Sequence, residues 1–344
     1  MHRPNEGVHV SEVSTSVIWG YPTLIHFFLA GMGGASLAIS AILLMSSRLR
    51  ASFFSVARYA AFIAPIVVFD DALVLVLELG RPTRFLNIFR HVNFESPLWL
   101  GTWMMTIFLL ISVPYAYTYL ALPKKDGLLR RTMARLGVRE NVGPDDKWRR
   151  FRWMLALIGL PLGIAVCHYP GMMMSGLVAR PLWSTSMLPT VTLLSSTATA
   201  LAAILLCRVL FKRVSDPISA KEYRDDNYVL TFTSVIFLVA EALVLTQIVI
   251  YARNTSSSFR FVIEKVIGEE GILAEQFWTG VVTIGFVVPI ITGVLLLLPR
   301  LVFSRELAYP RPVEAVMPSA VLVGSLMLIY VLLFGGQMTS PIGV

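Results

Sequence analysis

The sequence predicts an all-α integral membrane protein: eight transmembrane helices forming a single membrane domain over residues 1–344, with both termini extracytoplasmic. Three observations predict it. Hydrophobic residues make up 56% of the chain and charged residues only 15%, with a mean hydropathy of +0.71, whereas a soluble protein carries roughly 25% charge. The apolar residues fall into eight blocks, each longer than the ~20 residues an α-helix needs to cross the hydrocarbon core. Of the 29 Lys and Arg, 21 lie in the four connections 1–2, 3–4, 5–6 and 7–8, and cytoplasmic loops carry such an excess. Alternating ten-residue strands are absent, which argues against a β-barrel.

The expected spans are residues 17–45, 53–79, 97–122, 151–177, 188–211, 228–252, 275–299 and 313–334. The first is too long for a cleavable signal and lacks a basic n-region and a small-residue cleavage site, so it is expected to stay as the first helix. Its His26, Ala30, Gly34 and Ala38 repeat every four residues. Small residues at that spacing admit a close neighbour, so the His26 face is expected to point into the bundle, about 13 Å deep at 1.5 Å per residue. Two roles are open to His26: satisfaction by a nearby carbonyl, or partnership with something bound between helices.

On the second helix Asp71 and Glu78 are seven residues apart, which places them on one face within about 20°. Stacked carboxylates suit a proton relay, since ionisable groups kept in a membrane usually serve function. Asp70 lies about 80° from Glu78 around the helix and could instead cap or pair across helices, while Glu78 could simply pair with Arg81 or Arg84. The extracytoplasmic segment 80–96 places Phe85, Ile88, Phe89 and Val92 at helical spacing among arginines, as in an interfacial helix. It suits either a docking surface or a snorkelling anchor. After the third span comes the basic cytoplasmic loop 123–150, with room for a short surface helix.

The fourth span contains His168-Tyr169-Pro170-Gly171. Proline removes a ladder hydrogen bond and kinks a helix, and a broken helix at depth is tolerated where it faces protein or a cavity. Tyr169 falls near the depth of His26. A phenol and an imidazole flanking a cavity suit a ligand with carbonyl oxygens; a lone interfacial tyrosine is the alternative. Glu241, mid-way along the sixth span with Ser234 on its face, is either a neutral structural acid or a proton-path residue together with Asp70 and Asp71. Asp145, Asp146, Asp225 and Asp226 lie in cytoplasmic loops and are expected to be solvated. Cys167 and Cys207 sit on different spans with no Cys-x-x-Cys, so they cannot hold an iron–sulfur cluster.

The net charge of +8 follows membrane topology, which argues for anionic lipid headgroups as neighbours and against a nucleic-acid partner. No zinc site, phosphate loop or nucleophile–base set is present. Three function classes stay open on the residues alone: a redox-linked ligand site around His26 and Tyr169, a proton or small-solute transporter lined by Asp71 and Glu241, and a haem b-bearing anchor using His26 and His168.

The same residues resemble a known family, the NrfD/PsrC-type membrane subunits of polysulfide reductase and formate-linked nitrite reductase. The resemblance rests on 26–34 (HFFLAGMGG), Asp71 to Glu78 followed by 80–85 (GRPTRF), 96–103 (SPLWLGTW), Tyr169-Pro170-Gly171 with 180–183 (RPLW), Phe277-Trp278, and Gly335-Gly336-Gln337. It spans nearly the whole chain. It implies an anchor of the bacterial or archaeal cytoplasmic membrane, without haem or iron–sulfur cluster of its own. Such an anchor exchanges electrons between a quinone, menaquinone or ubiquinone, and an extracytoplasmic ferredoxin-like [4Fe–4S] subunit. That subunit serves a catalytic subunit, often a molybdenum enzyme, in anaerobic respiration. Carried over, His26 and Tyr169 would bond the quinone carbonyls, Glu78 and Asp71 would handle its protons, and Arg180 and Gln337 are quinone-pocket wall candidates. Alone the chain is half of an oxidoreductase. The topology has a direct check: single cysteines placed in 123–150 are expected to react with impermeant maleimide only from the cytoplasmic side.

Overall fold

A computed structural model describes residues 19–78, 85–122, 127–177, 180–215, 220–254, 257–304, 307 and 309–339. Eight helices in it are long and apolar enough to cross a membrane. They are α1 (Tyr21–Met45), α2 (Phe54–Glu78), α3 (Pro97–Tyr117), α4 (Arg149–Ser175), α5 (Leu188–Ser215), α6 (Ala220–Asn254), α7 (Gln276–Phe303) and α8 (Arg311–Met338). The helices form two rings of four. In the first, α1 packs on α2 and α4, and α3 closes the ring; in the second, α5 packs on α6 and α8, and α7 closes it. The rings join along α1 and α5, the two spans most enclosed by protein. The small residues of α1 allow this, because Gly31, Gly33 and Gly34 lie against Ser196 of α5, Val68 of α2 and Gly163 of α4. One face of the bundle, the terminal face, holds both described ends of the protein; the opposite, basic face holds the 3–4 connection.

The span limits differ from expectation where polar residues extend or arrest a helix. The third span, expected to reach residue 122, stops as α3 at Tyr117, and Leu122 N–H donates instead to Arg139 O at 2.6 Å. That backbone pairing turns the chain along the surface, where Leu128–Arg135 forms a short helix. The sixth begins eight residues before 228, because the polar start of α6 is held by ion pairs. Of the expected interfacial helix in 80–96, one turn is present at Asn87–Arg90 among the described residues. An additional helix, Ser257–Ile267, lies on the terminal face with Phe259, Val262, Ile263 and Val266 buried. The first half of α7, Gln276–Val287, is π-helical.

Of the four aspartates expected to be solvated, Asp145 is exposed, whereas Asp226 is buried and Asp146 and Asp225 are partly covered, all three paired with arginines at the basic face. The Arg208 guanidinium, 1% exposed, donates to Asp226 at 2.8 Å, Ser55 at 2.9 Å and Asn227 at 3.0 Å, and lies over the Tyr223 ring. Arg152, fully buried, pairs with Asp146, donates to Gly143 O and lies 4.8 Å over the Tyr119 ring. Asp225 binds Arg300 at 2.7 Å, and the exposed Asp145 meets Arg50 and Arg149. Arg152 ties a loop residue to the start of α4, and Arg208 ties α5 to α6 and to the start of α2, so these contacts fix the ends of both rings. Removing one partner of a buried ion pair strands the other charge and costs about 3–5 kcal/mol. Arg208→Met is therefore expected to lower the unfolding midpoint in detergent clearly, whereas Arg149→Met, exposed, should leave it nearly unchanged.

Candidate functional site

Two adjoining contacts in the first ring build the site. His26, one turn into α1, and Asp71, near the terminal-face end of α2, are both buried, and His26 Nδ1 lies 2.6 Å from Asp71 Oδ1. The close packing of α1 on α2 brings the short aspartate within reach. With Nδ1 committed to the carboxylate, Nε2 is the ring's remaining polar atom. The second carboxylate oxygen, Asp71 Oδ2, is buried with no hydrogen-bond partner among the described residues. Buried polar atoms are nearly always paired, so this orphan marks the dyad as incomplete.

Tyr169 comes from α4. Its ring stands edge-on to the His26 imidazole with centroids 6.3 Å apart, and its hydroxyl donates to Pro97 O at 3.0 Å, at the first turn of α3. Pro97 suits that position because a first-turn residue has no intrahelical N–H bond to lose. One turn further along, Gly101 faces the phenol, and a Cβ there would strike both the Tyr169 hydroxyl and its ring.

The three side chains open on a cavity of about 500 Å³, lined also by Met105, Leu109 and Val113. It runs along α3 from Leu98 to Pro114, sixteen residues or about 24 Å of helix. Leu98, Leu110 and Val113 are exposed, so its long side opens towards the membrane. Phe85, in its lining, packs edge to face on Phe89, and Phe89 on Trp103; Phe94 and Trp99 pair likewise nearby in the chain. A polar head with two unspent hydrogen-bonding atoms, continuing into a long apolar trough, can hold an amphiphile with a carbonyl- or hydroxyl-bearing ring.

The remaining sequence candidates lie elsewhere. Asp70 is exposed on the outward flank of α2 with Ile66, Phe69, Leu73 and Leu77, since one helical step turns it 100° from Asp71. Glu78 closes α2, but its side chain lies outside the described residues. Arg180 Nη1 donates to the backbone oxygens of Gly336 and Gln337 at 3.0 and 2.8 Å, satisfying carbonyls at the α8 end that have no intrahelical donor. The Gln337 side chain clasps the Trp19 backbone in both directions, and Trp19 stacks on Trp183 at 5.3 Å. Neither Arg180 nor Gln337 lines the cavity. Glu241 is buried in the second ring. His168 bonds its own helix at Ile164 O and is not a cavity residue, so the structure does not gather His26 and His168 in one place. What sequence reasoning missed is the part of α3: Gly101, Thr102, Met105 and Thr106 form the wall. The stretch 96–103 flagged the region without assigning it a role.

A family model described as "Polysulphide reductase, NrfD" matches residues 9–341. The protein is 25% identical to the C subunit of polysulfide reductase from Wolinella succinogenes over 293 residues, 83% of its own length and 86% of that subunit. It is also 25% identical to protein NrfD of Escherichia coli over 331 residues, 94% of its own length and 96% of that protein. A Haemophilus influenzae NrfD homolog shares 21% over 326 residues.

Gly101→Val should push the Tyr169 phenol off Pro97 and into the cavity. Ligand affinity at the cavity is expected to fall about tenfold, the loss of one hydrogen bond of ~1.4 kcal/mol, with helical content unchanged by circular dichroism. Leu100→Val, on the exposed side of α3, is the control and should bind as wild type.

Proposed function

The chain belongs to the polysulphide reductase NrfD family, multi-pass bacterial membrane subunits of respiratory oxidoreductases, and from that premise we propose that its cavity is a quinone site. In this reading the chain passes electrons between membrane quinone and an extracytoplasmic [4Fe–4S] partner, ferredoxin-like, which in turn serves a catalytic subunit. The observation that carries it is the His26–Asp71 dyad, with its orphan oxygen, at the head of a trough whose length and apolarity suit an isoprenoid tail. The opening between α2 and α3 supplies lateral entry from lipid. Menaquinone and ubiquinone both meet these requirements.

When bound, quinone supplies the two-electron, two-proton chemistry that the protein lacks. The chain's own residues bind, orient and move protons. His26 Nε2 would serve one ring oxygen, and Asp71, gripping Nδ1, fixes the tautomer and steadies the imidazolium whenever His26 holds an extra proton. Asp71 Oδ2 is the acceptor for a proton delivered at the same head. Tyr169, whose O–H donates to Pro97 O, would accept from the hydroxyl of a quinol through its free lone pair and would have to turn its O–H away from Pro97 to donate to a quinone carbonyl. Glu78, about two turns nearer the end of α2, extends the relay towards the terminal face, and Asp70 stays outside it. Arg180 and Gln337 act as braces of the α8 end, holding the terminal face in shape around the partner. That face is extracytoplasmic in this reading, and the partner seats over segment 80–96, where Leu86, Val92 and Phe94 are exposed. A solute transporter would need a channel wide enough for its cargo in place of a lateral trough, and the His26–His168 pair that a haem would use is not assembled, since His168 lies off the cavity.

His26→Ala is expected to reduce quinol-linked electron transfer by about 10²-fold or more, the scale of a lost general acid–base, and Tyr169→Phe by a smaller factor. Both variants should still insert into the membrane and co-purify with the iron–sulfur subunit. Wild-type turnover in His26→Ala, measured with a soluble quinol analogue, would sink the assignment.

A further inference from the structure

The second ring contains a polar column that the cavity does not use. It starts at the basic face in a cleft of about 80 Å³ lined by Arg224, Asn227, Tyr228, Arg300, Glu314 and, at its floor, Thr231. Three residues deeper on α6 is Ser234, fully buried, and seven beyond it on nearly the same face is Glu241, 1% exposed. Ser325 of α8, also buried, lines the same small void as Glu241. Leu328 borders both this void and the next one, which holds Thr192, Ser195 and Ser196 of α5 together with Phe27 and Pro170. Phe27 and Pro170 are the chain neighbours of His26 and Tyr169. Hydroxyls and one carboxyl therefore follow one another from the basic face to the back of the cavity head.

Two features set the column apart from ordinary packing. Thr192 and Thr199 spend their hydroxyls on backbone carbonyls of their own helix, as membrane threonines commonly do. Ser195 and Ser234 do not; both hydroxyls are buried with no hydrogen-bond partner among the described residues, although Ser195 approaches the Glu241 carboxyl. The void at Glu241 has no room for a water and the next has about 10 Å³, so water could join these hydroxyls to the carboxyl only when a wall moves. The void at Glu241 is closed on one side by Val281, Gly285 and Phe286, all within the π-helical half of α7. A π-helix is rarely longer than one turn and is common at functional sites, and here it is the wall whose tightening to α-helix would open room beside the carboxyl.

We propose that this column is a proton path between the basic face and the His26–Asp71 head, with Glu241 as its mid-membrane station. The link to the head rests on the quinone reading above. Reduction of a quinone takes up two protons with two electrons, and oxidation of the quinol releases them. Electrons exchanged with a partner at the terminal face and protons exchanged through the basic face would make turnover separate charge across the membrane.

The test uses the whole complex in proteoliposomes, with pH dyes on each side and electron transfer followed with a soluble quinol or quinone. The wild type should exchange its protons on the basic-face side. Glu241→Gln should cut that signal and the coupled rate by about tenfold or more, with quinone affinity unchanged. Wild-type protons exchanged wholly on the terminal-face side, or a full basic-face signal in Glu241→Gln, would overturn the path. If Glu241→Gln does not assemble, Ser234→Ala with Ser325→Ala takes its place with the same expected direction. A complex without quinone-linked electron transfer would refute the quinone reading, and the column then stands or falls on the purified full chain. There the Glu241 carboxyl infrared band should shift within minutes in heavy water and more slowly in Ser234→Ala. A band unshifted overnight would refute the column.

Discussion

The first ring depends on the contact between His26 and Asp71. A carboxylate in the membrane interior costs about 3 kcal/mol or more on insertion scales, and a buried histidine with no partner adds the loss of its own hydration. Joined at 2.6 Å, each covers much of the other's cost, and the pair ties α1 to α2 at the level where the cavity begins. The contact needs the helices close together, which the glycines of α1 permit. The compensation is incomplete in chemical terms, because Asp71 Oδ2 has no donor among the described residues. A pair that satisfied itself fully would be a better brace and a poorer site.

The two rings solve opposite problems with similar parts. At the basic face each has a buried arginine held by an aspartate and laid over aromatic rings, Arg152 in the first and Arg208 in the second. At the terminal face they diverge. The first ring leaves a gap between α3 and the wall made by α1, α2 and α4, with Tyr169 as the strut between α4 and α3, and the gap is the cavity. The second is sealed, with Trp183 donating to Leu332 O, Arg180 capping α8 and the Ser257–Ile267 helix packed over them. Rigidity at the basic face and closure of the second ring are what let one gap stay open without the bundle collapsing into it.

Much of this is legible in the sequence because the membrane makes its rules strict. Span number, the inward face of α1 and the convergence of His26, Asp71 and Tyr169 on one level follow from helix length, small-residue spacing and rise per residue. The Ser257–Ile267 helix is also legible: Phe259, Val262, Ile263 and Val266 repeat at three- and four-residue intervals, but the segment is too short to register as a span. Arg180 and Gln337 mislead because a motif position does not say whether a side chain faces a cavity or its own backbone. Asp226 misleads because a loop acid beside a span reads as solvated until a buried arginine from another helix, Arg208, is brought to it. The π-helical half of α7 has no signal in single-residue propensities, since its apolar residues suit an ordinary helix equally well.

The seam between α1 and α5 is where packing and chemistry meet. Ser196 packs directly against Gly31, so tightly that any side chain at residue 31 would displace it, and Cys167 Sγ, beside Ser196, donates to Gly31 O. A residue with a side chain at 31 would part the rings and, in the same movement, push Ser196 out of the void that adjoins Phe27 and Pro170. Glycine there is usually explained by helix packing alone. In this protein close packing and polar continuity make the same demand, because a hydroxyl from the second ring can stand behind the His26 head only where the first ring presents bare backbone. The stripe of small residues on α1 therefore shapes both the joint between the rings and the place where their polar interiors meet.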